Sequence, residues 1–209
     1  MGSPEDLLAE ERLVLGRRIV NLFGSEGSGK TTQAKLLAAK TDKPYIVVGD
    51  ILRDLAVNDL TEIGDECRAM FAAHRYLDPK VLLRILRNRF MSNDLSEGFI
   101  LDGGLRTLEE VQGFQSVLEQ SGNVFPLSVI HLRIPIWLGV QRLSTNVHAR
   151  KRHDDNINAV LKRQSHYYSN LGSRVSFIRR QRDWELLHVD ARGSEEVIFQ
   201  RVLDKLRGI

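Results

Sequence analysis

The chain has 209 residues, 42% hydrophobic and 27% charged, which predicts one packed domain rather than a disordered chain. Its single cysteine excludes a disulfide framework and a thiolate zinc cage, and a net charge of +3 is too small to predict nucleic-acid binding. No stretch approaches the roughly 18 uninterrupted apolar residues of a membrane span, and the first residues are acidic where a secretory signal is basic. We therefore expect a cytoplasmic protein that contacts neither membrane nor nucleic acid.

Strand and helix patterns alternate along the chain. Ser3 followed by Pro4 predicts an N-terminal helix, about residues 1–17, that ends near Gly16. Residues 18–209 read as one domain. Its elements are a strand at 18–23, a helix at 30–40, a strand at 45–48, helices at 50–57, 61–73 and 79–91, a strand at 99–101, a helix at 107–120, a strand at 127–134, a helix after Pro135, a long helix that ends near Leu171, a strand at 184–189 and a helix at 194–206. This alternation predicts an α/β fold, with a parallel sheet covered by helices on both faces.

Residues 24–31 carry the strongest chemical signal. They read GSEGSGKT, match G-x-x-x-x-G-K-[ST] and lie between a predicted strand and a predicted helix. The glycines let backbone N–H groups turn toward phosphate oxygens, and the following helix adds its positive end. Lys30 would reach the β- and γ-phosphates of a nucleotide, and Thr31 would hold Mg²⁺. The motif predicts nucleotide binding and leaves the reaction open; its ATP-binding candidates are Gly24, Ser25, Glu26, Gly27, Ser28, Gly29, Lys30, Thr31 and Thr32.

Four later segments resemble the motifs of adenylate kinases and related nucleoside monophosphate kinases. Residues 49–53 (GDILR) resemble the G-D-x-x-R of that family, and residues 100–107 (ILDGGLRT) resemble its L-D-G-F-P-R-T. Residues 152–156 (RHDDN), with Arg163 further on, resemble its lid signature R-x-D-D-N followed by an arginine. Residues 189–194 (VDARGS) resemble the segment that closes over the donor adenine. The order of these four segments behind a phosphate-binding loop makes the whole set specific for this family.

The resemblance implies a three-layer P-loop NTPase fold with a five-stranded parallel sheet. It also implies an acceptor-binding flap at about residues 49–78 and a short lid at about residues 144–155, which has no cysteine and so resembles the zinc-free variants. The implied activity is reversible transfer of the γ-phosphate of ATP to a nucleoside monophosphate by a monomer, with Mg²⁺ as cofactor and ADP as product. Because two polyanions must meet, catalysis is mostly positioning and charge neutralisation.

The same resemblance implies a role for each arginine. Arg53 and Arg106 would hold the acceptor α-phosphate, while Arg142, Arg152 and Arg163 would close on the donor phosphates and the transferring group. The catalytic candidates are Lys30, Arg106, Arg152 and Arg163.

Carboxylates and loop residues complete the implied site. Asp102 would orient Mg²⁺ through water, and Asp154 and Asp155 would order the lid arginines. Gly193 joins Arg142 on the ATP side. The acceptor-binding candidates, besides Arg53, Arg106, Arg152 and Arg163, are Val48, Gly49, Asp50, Tyr76, Leu77, Asp78, Gly103, Gly104 and Glu110.

The chain departs from the family pattern at several positions. Glu26 replaces a Pro and Thr31 replaces a Gly, which makes the phosphate-binding loop closer to that of thymidylate kinases, although their Asp-Arg-Tyr-like acceptor motif is missing. Gly104-Leu105 replaces Phe-Pro beside Arg106, and Asn146 stands where a lid arginine is common. A thymidylate kinase or another pyrimidine or guanine nucleotide kinase is therefore an alternative. A nucleotide-binding protein with weak or lost transfer is a second alternative, from another class.

Glu110 and Val48 bear on the acceptor base. Glu110 stands where adenylate kinases carry a Gln, whose amide both donates to and accepts from adenine, and Val48 replaces a Thr. An ionised carboxylate can only accept hydrogen bonds, which suits guanine or the cytosine amino group better than adenine. Glu110 either reads the base or points to solvent at the start of its helix, where acids are favoured. AMP is the first candidate acceptor, but the sequence alone leaves the identity of the acceptor base open.

Overall fold

The computed structural model of the chain describes residues 12–145 and 157–209. Its centre is a parallel sheet in the order β2-β3-β1-β4-β5, as the alternation of elements predicts. The strands are β1 (Ile19–Gly24), β2 (Tyr45–Val47), β3 (Ile100–Asp102), β4 (Leu127–Arg133) and β5 (Trp184–Asp190). The predicted α/β fold with five parallel strands is confirmed.

Helices cover the sheet and connect its strands. They are α1 (Lys30–Thr41), α2 (Val48–Asn58), α3 (Glu62–Ala72), α4 (Pro79–Phe90), α5 (Leu108–Gln120), α6 (Ile136–Thr145), α7 (Ile157–Ser169), α8 (Leu171–Arg180) and α9 (Glu195–Arg207), with a 3-10 turn at Asn93–Leu95. Four of them begin where a side-chain oxygen accepts a backbone N–H of the first turn, the caps being Thr61, Asp78, Thr107 and Ser194. No helix of the described chain is both long and apolar enough to span a bilayer.

Two apolar clusters lie on opposite faces of the sheet. Side chains alternate across a strand, so Ile19 and Phe23 of β1 join one cluster, whereas Val20 and Leu22 join the other. The first cluster also contains residues of α2 to α5 and α8, and the second contains residues of α1 and α9. This arrangement gives the three layers, with the sheet between two sets of helices.

The structure corrects two predictions about helices. Residues 12–17, assigned to the N-terminal helix, are not helical, and residues 1–11 of that prediction lie outside the described residues. Leu13 donates its N–H to the Lys40 carbonyl at 3.1 Å, and Leu13 and Leu15 pack on the core while Val14 is 87% exposed. This alternation is typical of extended chain. The predicted long helix ends at Ser169, close to the expected end near Leu171, but a separate helix, α8, follows after Asn170 where no element was predicted.

Candidate active site

A cavity, which we call the main cavity, lies at the carboxyl ends of β1, β2 and β3. Because these strands are parallel, the loops that follow them meet at one edge of the sheet. Its walls come from the phosphate-binding loop, the start of α2, the end of α3 and the loop after β3. The lining residues are Glu26, Gly27, Gly29, Lys30, Thr31, Val47, Gly49, Leu52, Arg53, Met70, Phe71, His74, Arg75, Tyr76, Asp102, Gly103, Arg106 and Arg163. Four predicted phosphate-binding cations, Lys30, Arg53, Arg106 and Arg163, therefore share one cavity.

Glycines shape the phosphate-binding loop. Gly27 and Gly29 have φ of 77° and 89°, in the left-handed region that only glycine adopts freely. A Cβ on Gly27 would also collide with the backbone of Gly139 in α6. Gly29 is the residue directly before α1, so the N–H groups at the positive end of that helix face the loop. The Lys30 ammonium donates to the Ser25 carbonyl at 2.8 Å, which places the charge over the loop.

Helix α7 is attached to the phosphate-binding loop through Glu26. Arg163 Nε lies 3.7 Å from Glu26 Oε1, and both side chains are largely buried. The neighbouring Gln164 donates from Nε2 to the Glu26 carbonyl at 3.0 Å. Glu26 thus orients the arginine that the family pattern assigns to the transferring phosphate.

One wall of the main cavity contains two further arginines and a tyrosine. Arg53 pairs with Asp50 one turn earlier on α2. The Arg106 guanidinium carbon lies 5.2 Å from the centroid of the Tyr76 ring, a cation–π arrangement. The Tyr76 hydroxyl donates to the Arg163 carbonyl at 3.3 Å, and burial raises the pKa of that hydroxyl. Tyr76 thereby links the loop between α3 and α4 to α7.

Asp102 and Thr31 offer oxygen ligands at the same cavity. Asp102 ends β3, is 5% exposed and accepts a hydrogen bond from the Tyr45 hydroxyl at 3.1 Å. A carboxylate and a hydroxyl match the oxygen donors that Mg²⁺ prefers, so the residues present fit this ion. Among the side chains that the structure describes, no three His, Cys, Asp or Glu residues gather in a metal-binding cluster.

Glu110 does not point to solvent, so that interpretation is wrong. It is 2% exposed and accepts the backbone N–H of Arg106 at Oε2, 2.8 Å away. It is not part of the wall of the main cavity. Burial raises the pKa of the Glu110 carboxyl above its ordinary value, although the nearby Arg106 N–H and charge oppose this. Its contact is with the backbone that carries Arg106.

A second cavity, the donor-side cavity, lies on the other side of the phosphate-binding loop. It is lined by Gly27, Gly29, Thr32, Gln33, Arg142, Leu143, Gly193, Ser194, Glu195 and Ile198. The Arg142 guanidinium donates to the Gly193 carbonyl at 3.1 Å. Thr32, Arg142 and Gly193, predicted on the ATP side from separate segments, therefore meet here. Gly27 and Gly29 line both cavities, so the loop is the wall between them.

Several predicted site residues have structural roles in the described chain. Val48 and Leu77 are buried in the first core cluster, and Asp78 caps α4 by accepting the N–H groups of Lys80 and Val81. Other candidates support the loops: Ser25 and Ser28 are buried in the phosphate-binding loop, and Gly24 and Gly104 line a small pocket behind it. The predictions that lie outside the described residues are Arg152, Asp154, Asp155 and Asn146.

Three buried residues near the site are absent from the sequence-based set. Asn21 donates to the Gly103 carbonyl at 2.8 Å, Gln164 holds the Glu26 carbonyl, and Arg174 donates to the Leu105 carbonyl at 2.9 Å. All three act on backbone atoms far away in the sequence. The sequence signal that could have identified such a residue is a polar side chain inside an apolar strand pattern, and of the three only Asn21 gives it.

This fold and site define a P-loop phosphotransferase, since a phosphate-binding loop separates two cavities and several cations line one of them. A family model described as adenylate kinase matches residues 22–182 of the chain. A protein named adenylate kinase from Cyanothece sp. is 30% identical over 190 residues, which cover 90% of this chain and 95% of that protein. A second adenylate kinase, from Xylella fastidiosa, is 32% identical over 182 residues, 87% of this chain and 95% of that protein. The chain belongs to the adenylate kinase family, and it is an ATP-dependent nucleoside monophosphate kinase.

Proposed function

We propose that the chain transfers the γ-phosphate of ATP to AMP, reversibly, giving two molecules of ADP. The observation that carries this proposal is the pair of cavities that share Gly27 and Gly29 as a common wall. A nucleotide on each side of this wall would bring its phosphates to the loop where Lys30 lies. Both relatives described above are named adenylate kinase, which supports AMP as the acceptor.

The donor-side cavity would take the adenosine of ATP, and its phosphates would follow the loop toward Lys30. Arg142 and Gly193 would border the adenine, and the Lys30 ammonium would leave the Ser25 carbonyl for the β- and γ-phosphates. Thr31 and Asp102 would hold Mg²⁺. When bound, this ion neutralises charge on the β- and γ-phosphate oxygens.

The main cavity would take AMP. Arg53 and Arg106 would bind its α-phosphate, and Arg53 would exchange its contact with Asp50 for the phosphate. Leu52, Met70 and Phe71 line the same cavity and give an apolar surface against which a base can pack. Arg163, oriented by Glu26, would stabilise the charge on the phosphoryl group in transfer. The lid residues Arg152, Asp154 and Asp155 would close over the transferring group. The proposed boundaries are about residues 49–78 for the flap and about residues 144–155 for the lid.

An acceptor panel tests the proposal. The initial rate of ADP formation from Mg-ATP is measured with AMP, CMP, UMP, GMP and dTMP as acceptors, for the wild type and for Glu110→Gln. We expect the highest kcat/KM with AMP. Because Glu110 contacts the Arg106 backbone and does not line the main cavity, the order of acceptors should be the same in both proteins.

Two results would count against this function. A clear preference of the wild type for another monophosphate would overturn AMP as acceptor and support a thymidylate or other nucleotide kinase. A change in the order of acceptors in Glu110→Gln would show that Glu110 reads the base after all.

A further inference from the structure

Arg174 of α8 is a charged side chain inside the apolar core. It is 0% exposed, and its guanidinium carbon lies 5.0 Å from the Phe23 ring centroid and 4.7 Å from that of Tyr167. Within residues 12–145 and 157–209 it forms no salt bridge, and the carboxylate whose charge acts on it, Glu110, is not within salt-bridge distance. Burial lowers the pKa of the guanidinium, which nevertheless stays protonated in proteins. A buried cation without a carboxylate partner is unfavourable, so its position needs a specific reason.

Three hydrogen bonds link the Arg174 guanidinium to backbone carbonyls. Nη1 donates to Leu105 at 2.9 Å, Nε donates to Asn170 at 3.2 Å, and Nη2 donates to Tyr167. The planar guanidinium therefore connects the junction of α7 and α8 with the loop after β3. Leu105 is the residue directly before Arg106, which lines the main cavity.

The loop segment that Arg174 contacts has an unfavourable backbone conformation. Gly103, Gly104 and Leu105 have φ of 97°, 76° and 53°, three successive residues in the left-handed region. Glycine adopts such angles freely, but leucine does so only where its surroundings hold it. The Gly104-Leu105 pair stands where the family pattern has Phe-Pro, and proline would fix this part of the backbone by its ring. In this chain the restraint has to come from elsewhere.

We propose that Arg174 is a positioning residue for the phosphate acceptor. Its hydrogen bond to the Leu105 carbonyl holds residues 103–105 in the conformation that directs Arg106 into the main cavity. Asn21 holds the other end of the segment through the Gly103 carbonyl. Arg174 also lines a small pocket with Lys30, Tyr76 and Arg106 behind the phosphate-binding loop, which places it next to the groups it supports. This proposal rests on the role in acceptor binding proposed above for Arg106.

Steady-state kinetics of four proteins test it: the wild type, Arg174→Met, Arg174→Lys and the control Arg180→Met. Methionine keeps the apolar packing and has no donors, and lysine keeps the charge but not the planar fork. Arg180 is an exposed arginine of the same helix. For each protein, KM is measured for ATP and for the monophosphate that the wild type phosphorylates fastest. If that monophosphate is not AMP, the proposed acceptor is contradicted, but the test of Arg174 is still valid.

We expect the KM for the acceptor to rise about tenfold in both Arg174 variants, equivalent to about 1.4 kcal/mol, while the KM for ATP stays within about twofold. The Arg180 variant should match the wild type. An unchanged acceptor KM in Arg174→Met, or an equal rise in both KM values, would overturn the proposal. So would a normal acceptor KM in Arg174→Lys, because charge alone would then suffice. If Arg174→Met does not fold, the acceptor KM of Arg174→Lys decides by the same rule.

Discussion

Glu110 combines a structural contact with an incomplete set of hydrogen bonds. Its Oε2 accepts the Arg106 N–H, whereas its buried Oε1 has no partner among the described residues. Burial disfavours the ionised form of the carboxyl and raises its pKa above the ordinary 4.5. The folded chain therefore binds this proton more tightly than the unfolded chain. The contribution of Glu110 to stability is greatest below its unfolded pKa and is lost as the pH rises through the folded pKa.

Glu110→Gln should remove this pH dependence. The amide oxygen can still accept the Arg106 N–H, and the amide carries no charge to bury. We expect the free energy of unfolding of the variant, relative to the wild type, to increase as the pH is raised above the ordinary carboxyl pKa of 4.5. Urea unfolding at several pH values measures it, with Glu119→Gln, at an exposed carboxylate of the same helix, as the control. If the difference in unfolding free energy between variant and wild type does not change with pH, the conclusion that Glu110 is a buried, ionisable carboxyl is contradicted.

At the scale of elements, α6 packs against the phosphate-binding loop through a glycine. A Cβ on Gly139 would lie 2.7 Å from the Glu26 carbonyl oxygen and 3.3 Å from Gln164 Nε2. These are the two groups that attach α7 to the loop. The close approach of α6 and the loop therefore supports the orientation of Glu26.

Gly139→Ala should displace the phosphate-binding loop. Overpacking at a rigid contact costs about 1–3 kcal/mol, so we expect the KM for ATP to rise about tenfold or more. Gly172→Ala is the matched control, because a Cβ at this helical position meets no atom within 4 Å. It should stabilise the fold by up to about 1 kcal/mol, since alanine favours a helix, and should leave the kinetics unchanged. Equal kinetics in the two variants would show that the approach of α6 to the loop is unimportant.

Elements with a strong local pattern could be predicted from the sequence, and tertiary contacts could not. The five strands, the phosphate-binding loop and the helices predicted at 107–120 and 194–206 follow from periodicity and from the loop motif. The prediction of a helix at residues 12–16 is wrong because these residues are extended and pack against the second apolar cluster, and that contact depends on the tertiary structure. Arg174 and Glu110 are charged, and charged side chains are usually exposed, so their burial has no signal in the sequence.

For the whole molecule, the parallel sheet brings together cations that are far apart in the chain. Lys30 follows β1, Arg53 follows β2 and Arg106 follows β3, and Arg163 joins them from α7. This convergence lets one site neutralise the phosphates of two nucleotides that otherwise repel each other. The donor-side cavity across the phosphate-binding loop completes a path for phosphoryl transfer in the proposed function.

The most direct test of this convergence is the AMP-dependent rate of ADP formation from Mg-ATP. It is measured for the wild type, Lys30→Ala, Arg106→Ala and Arg84→Ala, the last at an exposed arginine of α4 outside both cavities. We expect kcat to fall about 100- to 1000-fold in each of the first two variants and to stay unchanged in Arg84→Ala. Lys30→Ala loses a charge on the transferring γ-phosphate, and Arg106→Ala loses the charge that holds the acceptor α-phosphate in position for transfer. Rates of Lys30→Ala and Arg106→Ala within about twofold of the wild type, or an equal loss in Arg84→Ala, would contradict the account.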